Sequence, residues 1–240
     1  MALRNPDGYV SRVIDGAAGL VASAGPRRRA APEGRFADSL SLIRDSVDWL
    51  AQSRQDIGID DSVSQAHEIS LEITSTLYAS GAGHPTWRRW SSLASWGYAL
   101  LGDVSGALPY AVLGGDRSHL EGLRTVPVPQ ALPDRVVREL ALGTGASPLG
   151  PQPADAVDGA WLGLAVSIPR KDHRGTEASL RTLAEFWIAE DEEWDLFLLR
   201  GYPCFDPCVC AAAALARQGG YRPRELTRDA LAFLGPGLAP

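Results

Sequence analysis

Glu185, Glu190, Asp191, Glu192, Glu193 and Asp195 place six carboxylates within eleven residues. Groups of like charge this close repel one another. Their spacing admits three uses: coordination of a divalent cation, stabilisation of a helix N-terminal end near Glu190, or attraction of a basic protein surface. A metal site needs several of them to converge across helices, whereas acids on one or two helices mostly point outward. A solvated acidic face, a partner-binding face and a metal site therefore stay open at this point. Trp187, Trp194 and Phe197 are interspersed among the acids. They either anchor the segment to a core or supply aromatic binding energy at an interface.

The other reactive side chains are sparser. Cys204, Cys208 and Cys210 could offer three thiolates, with His173 as a fourth ligand. However, zinc sites usually use tighter Cys-x-x-Cys knuckles, and Pro203 and Pro207 restrict how the sulfurs converge. Cys208 and Cys210 run into the apolar stretch Val209–Ala216, which favours a packing role. The four histidines, His67, His84, His119 and His173, are scattered among different elements. His67-Glu68 begins like a zinc-protease helix, but Leu71 stands where the second histidine belongs. Gly143-Thr144-Gly145 is followed by Pro148 where a dinucleotide fingerprint needs its third glycine. There is no phosphate loop and no Gly-x-Ser-x-Gly elbow. No catalytic, cofactor-binding or metal-ligating residue is assigned, and no cofactor is expected.

Charge narrows the partners. Of the net −6, residues 1–35 carry six arginines against Asp7, Asp15 and Glu33, or +3, which leaves −9 on residues 36–240. Such a body attracts basic partners and disfavours direct contact with nucleic acid phosphates. Three cysteines in one short segment do not make a disulfide framework, so reduced thiols and a cytoplasmic location are expected. No apolar run approaches the roughly 18–20 residues needed to span a bilayer.

The elements that position these residues read as helices. Residues 1–35, rich in Gly, Ala, Pro and Arg and closing on Arg27-Arg28-Arg29, read as an arm that docks or stays mobile. Phe36, Leu40, Ile43, Val47 and Leu50 then step by fours and threes along one helix face. Val63, Ala66, Ile69 or Ser70, Ile73 and Leu77 repeat the pattern after Asp60-Asp61-Ser62. Pro85 opens a third helix lined by Trp87, Trp90, Leu93, Ala94, Gly97 and Leu101. Tyr110–Leu113 and His119–Leu123 are shorter pieces, and Asp134–Leu142 is a better helix. Beyond the Gly/Pro-rich loop Gly143–Pro153, five further helices are expected over Trp161–Val166, Thr176–Trp187, Glu190–Leu199, Asp206–Arg217 and Pro223–Phe233. Strand-like alternation is nearly absent. The expected fold is all-α, with antiparallel helical hairpins packed as one multi-helix domain over residues 36–240 and the loop near 143–153 dividing its halves.

Several segments resemble a known family. Leu77-Tyr78-Ala79-Ser80-Gly81 and Leu93–Gly102 are similar to the ending of an early helix and the helix after it in the PoNi family of immunity proteins. Ser179–Trp194 is similar to that family's helix leading into a tryptophan-containing stretch. Tyr202-Pro203-Cys204-Phe205-Asp206-Pro207, followed by Val209–Leu215, resembles its aromatic-acidic-alanine segment, with Asp206 in place of a glutamate. The chain departs from the family pattern at Pro207 and Cys208, and it lacks a closing segment rich in Tyr and Pro.

The resemblance, over residues 36–234, implies an all-helical cytosolic protein that binds and blocks a DNase toxin and is not itself an enzyme. Occlusion of the toxin's basic active-site surface is the expected mechanism. Glu185, Glu190, Asp191, Glu192, Glu193, Asp195 and Asp206 are the candidate partner-facing residues. Two other readings compete with this one. The first is a helical enzyme that holds a divalent metal around Glu185–Asp195. The second is a protein-interaction adaptor that pairs as a homodimer through the apolar Trp87–Leu101 region.

Overall fold

The three-and-four spacing of Ile43, Val47 and Leu50 becomes, in the computed structural model, the buried stripe of a helix over Arg35–Ser53. The structure describes residues 5–24, 35–79, 84–125, 128–143, 155–193 and 206–238. Among these residues there are eleven helices and no strand, so the expected all-α class holds. They are α1 (Pro6–Ala24), α2 (Arg35–Ser53), α3 (Ile59–Ala79), α4 (His84–Leu100), α5 (Val104–Gly114), α6 (Arg117–Leu123), α7 (Leu132–Leu142), α8 (Ala156–Arg170), α9 (His173–Glu193), α10 (Pro207–Gln218) and α11 (Arg228–Leu238). None of the described helices is long and apolar enough to cross a membrane. The backbone gathers into two compact units, Met1–Ala107 and Leu108–Pro240, whose boundary falls inside α5.

In the first unit, α3 and α4 pack most extensively, with α1 and α2 laid against α3. Residues 6–24, expected to belong to an arm, instead form the packed helix α1. The Asn5 side chain accepts a hydrogen bond from the Gly8 amide at 2.8 Å, Pro6 suits the first helical position, and Tyr9, Val10, Val13 and Ala17 are buried at helical spacing. The Gly and Ala content hid that stripe. Arg27, Arg28 and Arg29 lie outside the described residues.

Helices α1, α3 and α4 meet at Gly97, where a Cβ atom would fall on His67 Nδ1 and Tyr9 Oη. Only glycine permits that approach. Trp87, Trp90, Leu93 and Ala94 are buried inside this unit, so most of the Trp87–Leu101 region expected to serve a homodimer is covered by the chain itself, while Leu101 stays 44% exposed.

In the second unit, α10 is central. Val209, Cys210, Ala211, Ala212 and Ala213 are all fully buried, and five consecutive positions cover more than a full turn, so α10 is enclosed on every side there. It touches α7, α8, α9 and α11. Helices α7 and α8 pack on each other, so the stretch expected to divide two halves connects neighbouring helices of one unit; its residues 144–153 lie outside the described ones.

Two boundaries also differ from expectation. The chain runs without a break from His173 to Glu193, merging Thr176–Trp187 with the start of Glu190–Leu199. Near the C-terminus, helix α11 starts at Arg228 rather than Pro223, because the Thr227 hydroxyl caps the Ala230 amide at 3.2 Å and the preceding turn serves Glu177 instead. The Glu177 carboxylate accepts from the amides of both Arg224 and Glu225, which pins that turn to α9.

Helices α8 and α9 are joined by only Lys171 and Asp172. Lys171 takes the left-handed conformation at φ 56°, and its amide closes onto the Ile168 carbonyl. Asp172 caps the Gly175 amide at 3.0 Å. A lysine pays steric strain at this position that glycine avoids. Lys171→Gly is therefore expected to stabilise the fold by about 0.5–1 kcal/mol, a rise in Tm of about 2 °C in a thermal melt followed by circular dichroism. A lowered Tm would contradict the assigned turn geometry.

Candidate functional site

The inward stripe of α9 carries Thr176, Leu180, Leu183 and Ala184, all buried. Helical phase turns Glu185 and Phe186 away from that stripe, and both are exposed. Phe186 shows 37% of its surface, and its ring meets the Trp187 ring edge-on with centroids 5.5 Å apart. Glu190, one turn past Phe186, is half-buried. Helix α9 continues through Asp191, Glu192 and Glu193. Asp195, Trp194 and Phe197 lie outside the described residues. The structure thus brings Glu185, Phe186, Trp187 and Glu190 onto one stretch of helix.

The charge order along α9 is unusual for a helix that is merely being stabilised. After Arg181 every charged residue up to Glu193 is acidic, and the last turn holds no base. A helix C-terminal end carries about −0.5 elementary charge, so acids there cost stability where lysine or arginine would add about 0.3–1 kcal/mol. Phe186 was not singled out by sequence. Its signal was the phase of Leu180, Leu183 and Ala184, which puts a large aromatic residue on the solvent side beside Glu185.

Asp206 does not join this surface. It is the N-cap of α10, half-buried, with its carboxylate accepting from the Val209 amide at 2.7 Å. Its assignment as a partner-facing residue is corrected on that ground: the carboxylate faces its own helix end, and Pro207 occupies the first turn, where a missing N–H costs nothing. Burial pushes its pKa up to about 6 against the lowering effect of the amide hydrogen bonds, and neighbouring Asp134 raises it further.

The Cys208 thiol donates to Asp134 Oδ1 at 3.3 Å, and burial together with the two carboxylates holds that thiol well above the usual range. Cys210, fully buried with its thiol 3.5 Å from the Phe233 carbonyl oxygen, is likewise raised by burial. Neither thiol is a ready thiolate nucleophile or ligand. Cys204 lies outside the described residues.

The histidines are separated from this chemistry. His67 is buried edge-on to Tyr98 with ring centroids 4.2 Å apart, and burial lowers its pKa to about 4 against the raising effect of Asp103. His119 is buried in the short helix capped by Asp116, and burial lowers its pKa too. His173 stacks on Tyr221 at 6.2 Å. The His84 side chain is outside the described set. Among the described residues, no group of three or more His, Cys, Asp or Glu side chains is arranged to hold a metal ion.

No family model, curated protein or solved structure matches this chain. The candidate site therefore stands on its own geometry: an exposed aromatic edge set among acids at the far end of α9, carried on a helix whose other face is locked into a core.

Asp206 gives the N-cap of α10 a pH signature. Its folded pKa of about 6 lies above the unfolded value of about 3.9, so the protonated form contributes stability that is complete below pH 4 and is lost as pH rises through 6. Asparagine keeps the cap and carries no charge. Asp206→Asn is expected to gain about 1–2 kcal/mol relative to wild type on going from pH 4.5 to pH 7.5, read from urea unfolding at both pH values. A difference that does not change with pH would show that Asp206 is not held in a charge-disfavouring site.

Proposed function

We propose that this protein is an immunity protein: it binds a toxin carrying a basic, nuclease-like surface and neutralises it by covering that surface. The observation that carries the reading is Phe186, exposed beside Glu185 and Glu190 on a helix end where acids work against helix stability. A feature that costs the fold energy and remains at the surface is best explained by what it attracts. The acidic body supplies long-range attraction that speeds encounter with a basic cleft. At contact, Phe186 with Trp187 provides the apolar anchor, while Glu185, Glu190, Asp191, Glu192 and Glu193 match the toxin's cations.

The role asked of this chain is occlusion, with no bond made or broken on it, and the reading places it in the cytoplasm where its own cell needs protection. The similarity of Ser179–Trp194 and Tyr202–Leu215 to PoNi segments supports the same conclusion. Helix α9 suits it mechanically: its inner stripe is buried and Glu177 ties it to the turn before α11, so the face meets a partner preorganised.

The experiment is co-expression with a candidate toxin having a basic nuclease-like domain, followed by association kinetics of the pair. Wild-type protein is expected to rescue growth and form a stable complex. The triple charge reversal Glu190→Lys, Asp191→Lys and Glu193→Lys is expected to slow association about tenfold or more at low salt while leaving Tm unlowered or raised, since lysine suits a helix C-terminal end. Unaltered association kinetics would place the interface elsewhere. Absence of both rescue and complex across such toxins would sink the immunity reading.

A further inference from the structure

The first unit has a groove of about 550 Å³ where the start of α1, the start of α3 and the end of α4 come together, lined by Pro6, Asp60, Val63, Leu100 and Leu101. Among the described residues, Pro6, Val63, Leu100 and Leu101 give it apolar side chains and Asp60 a carboxylate, and polar and apolar atoms share its wall about equally. Leu101 is 44% exposed, and Ile59, next to the lining residue Asp60, is 41% exposed. Two large apolar side chains at the surface beside a concavity of this size are the ordinary makings of a recognition groove.

Charge identifies the occupant. The described segments that carry the lining residues, 5–9, 56–66 and 97–107, contain no lysine or arginine; Arg4, next to the first of them, lies outside the described residues. Their charged residues are Asp7, Asp56, Asp60, Asp61 and Asp103. Asp7, Asp60 and Asp61 lie in first turns, where one carboxylate offsets a helix end. Two helix N-terminal ends supply about +1 in total and the C-terminal end of α4 takes back about half of that, so five aspartates leave a large negative excess.

Asp7, Asp56, Asp60 and Asp61 make no ion pair with any described residue. Arg54, two residues before Asp56, is directed to the Ser11 hydroxyl at 3.3 Å. Asp103 caps the Gly106 amide at 2.9 Å and lies near His67, which is neutral above its pKa of about 4 and offers no positive charge.

We infer that this groove binds a lysine- or arginine-bearing amphipathic segment of a partner protein, with the segment's apolar side chains against Val63, Leu100 and Leu101 and its cations on the aspartate rim. This is helix-in-groove recognition with charge complementarity setting which segment fits. A second copy of this chain is the wrong occupant, because a two-fold pair would set the same five aspartates against one another. The inference is independent of the reading of α9, which lies in the other unit.

The test uses the full chain and a short fluorescein-labelled helical peptide of leucine and lysine, followed by fluorescence anisotropy at low salt. Two control peptides replace leucine by serine or lysine by glutamate. The leucine–lysine peptide is expected to bind and both controls to fail. Asp60→Asn with Asp61→Asn, and separately Leu101→Ser, should each weaken binding about tenfold, while Glu185→Gln with Glu190→Gln leaves it unchanged.

Equal binding of the serine–lysine peptide, indifference to the groove substitutions, or loss of binding on changing the α9 acids would each overturn the assignment. So would a dimer of the chain that Leu101→Ser dissolves. If a groove variant fails to fold, hydrogen exchange of the wild-type chain decides: slowed exchange over residues 59–63 and 98–103 on adding the peptide supports the groove, and slowing confined to other residues rejects it.

Discussion

Helix α10 is buried on every side, and the second unit depends on what that requires. A helix can be enclosed by four others only if its side chains are small or apolar and its neighbours come close. Val209-Cys210-Ala211-Ala212-Ala213 meets the first condition. Gly237 meets the second, since a Cβ on α11 at that position would fall on the Cys210 carbonyl. Dispersion contacts at this spacing are individually about 0.1–0.2 kcal/mol, but they accumulate over a whole enclosed helix, and they fail quickly when a methyl group holds two helices apart. Gly97 plays the equivalent part among α1, α3 and α4 in the first unit.

This mode of packing explains where polar chemistry sits. With the centre of the second unit spent on alanines, its polar groups are pushed to helix ends and outer faces. Asp206 caps α10, Asp172 caps α9, Asp155 caps α8, and Glu177 secures the turn before α11. Each carboxylate there has a backbone amide to satisfy. At the far end of α9, Glu185 is exposed and sits next to the exposed Phe186.

Much of the helical layout was legible because Ile43, Val47 and Leu50, or Val63, Ala66, Ile73 and Leu77, each repeat at one helical phase. Helix α1 was not legible: Val10, Val13 and Ala17 give a narrow stripe diluted by glycine and alanine, and the Asn5 cap is a single residue. Nor could the sequence show that α9 runs unbroken past Trp187, since the acids after it resemble a new helix start as much as a continuation. For the site, acid density pointed to Glu185 and Glu190 on α9, but the role of Asp206 was misread. An aspartate before a proline and an apolar run is an N-cap signature, and that local chemistry outweighs membership of an acidic region. The groove of the first unit was invisible, because Pro6, Asp60 and Leu101 are far apart in sequence and only tertiary packing joins them.

Carboxylate footprinting tests the account's central claim most directly. The chain would be labelled with a water-soluble carbodiimide, free and in complex with the basic toxin it neutralises, and the modified residues located by mass spectrometry. The account predicts that Glu185 and Glu190 lose most of their labelling in the complex, while Asp158 and Asp172, at the starts of α8 and α9, keep theirs. Undiminished labelling of Glu185 and Glu190 in a fully formed complex would contradict it.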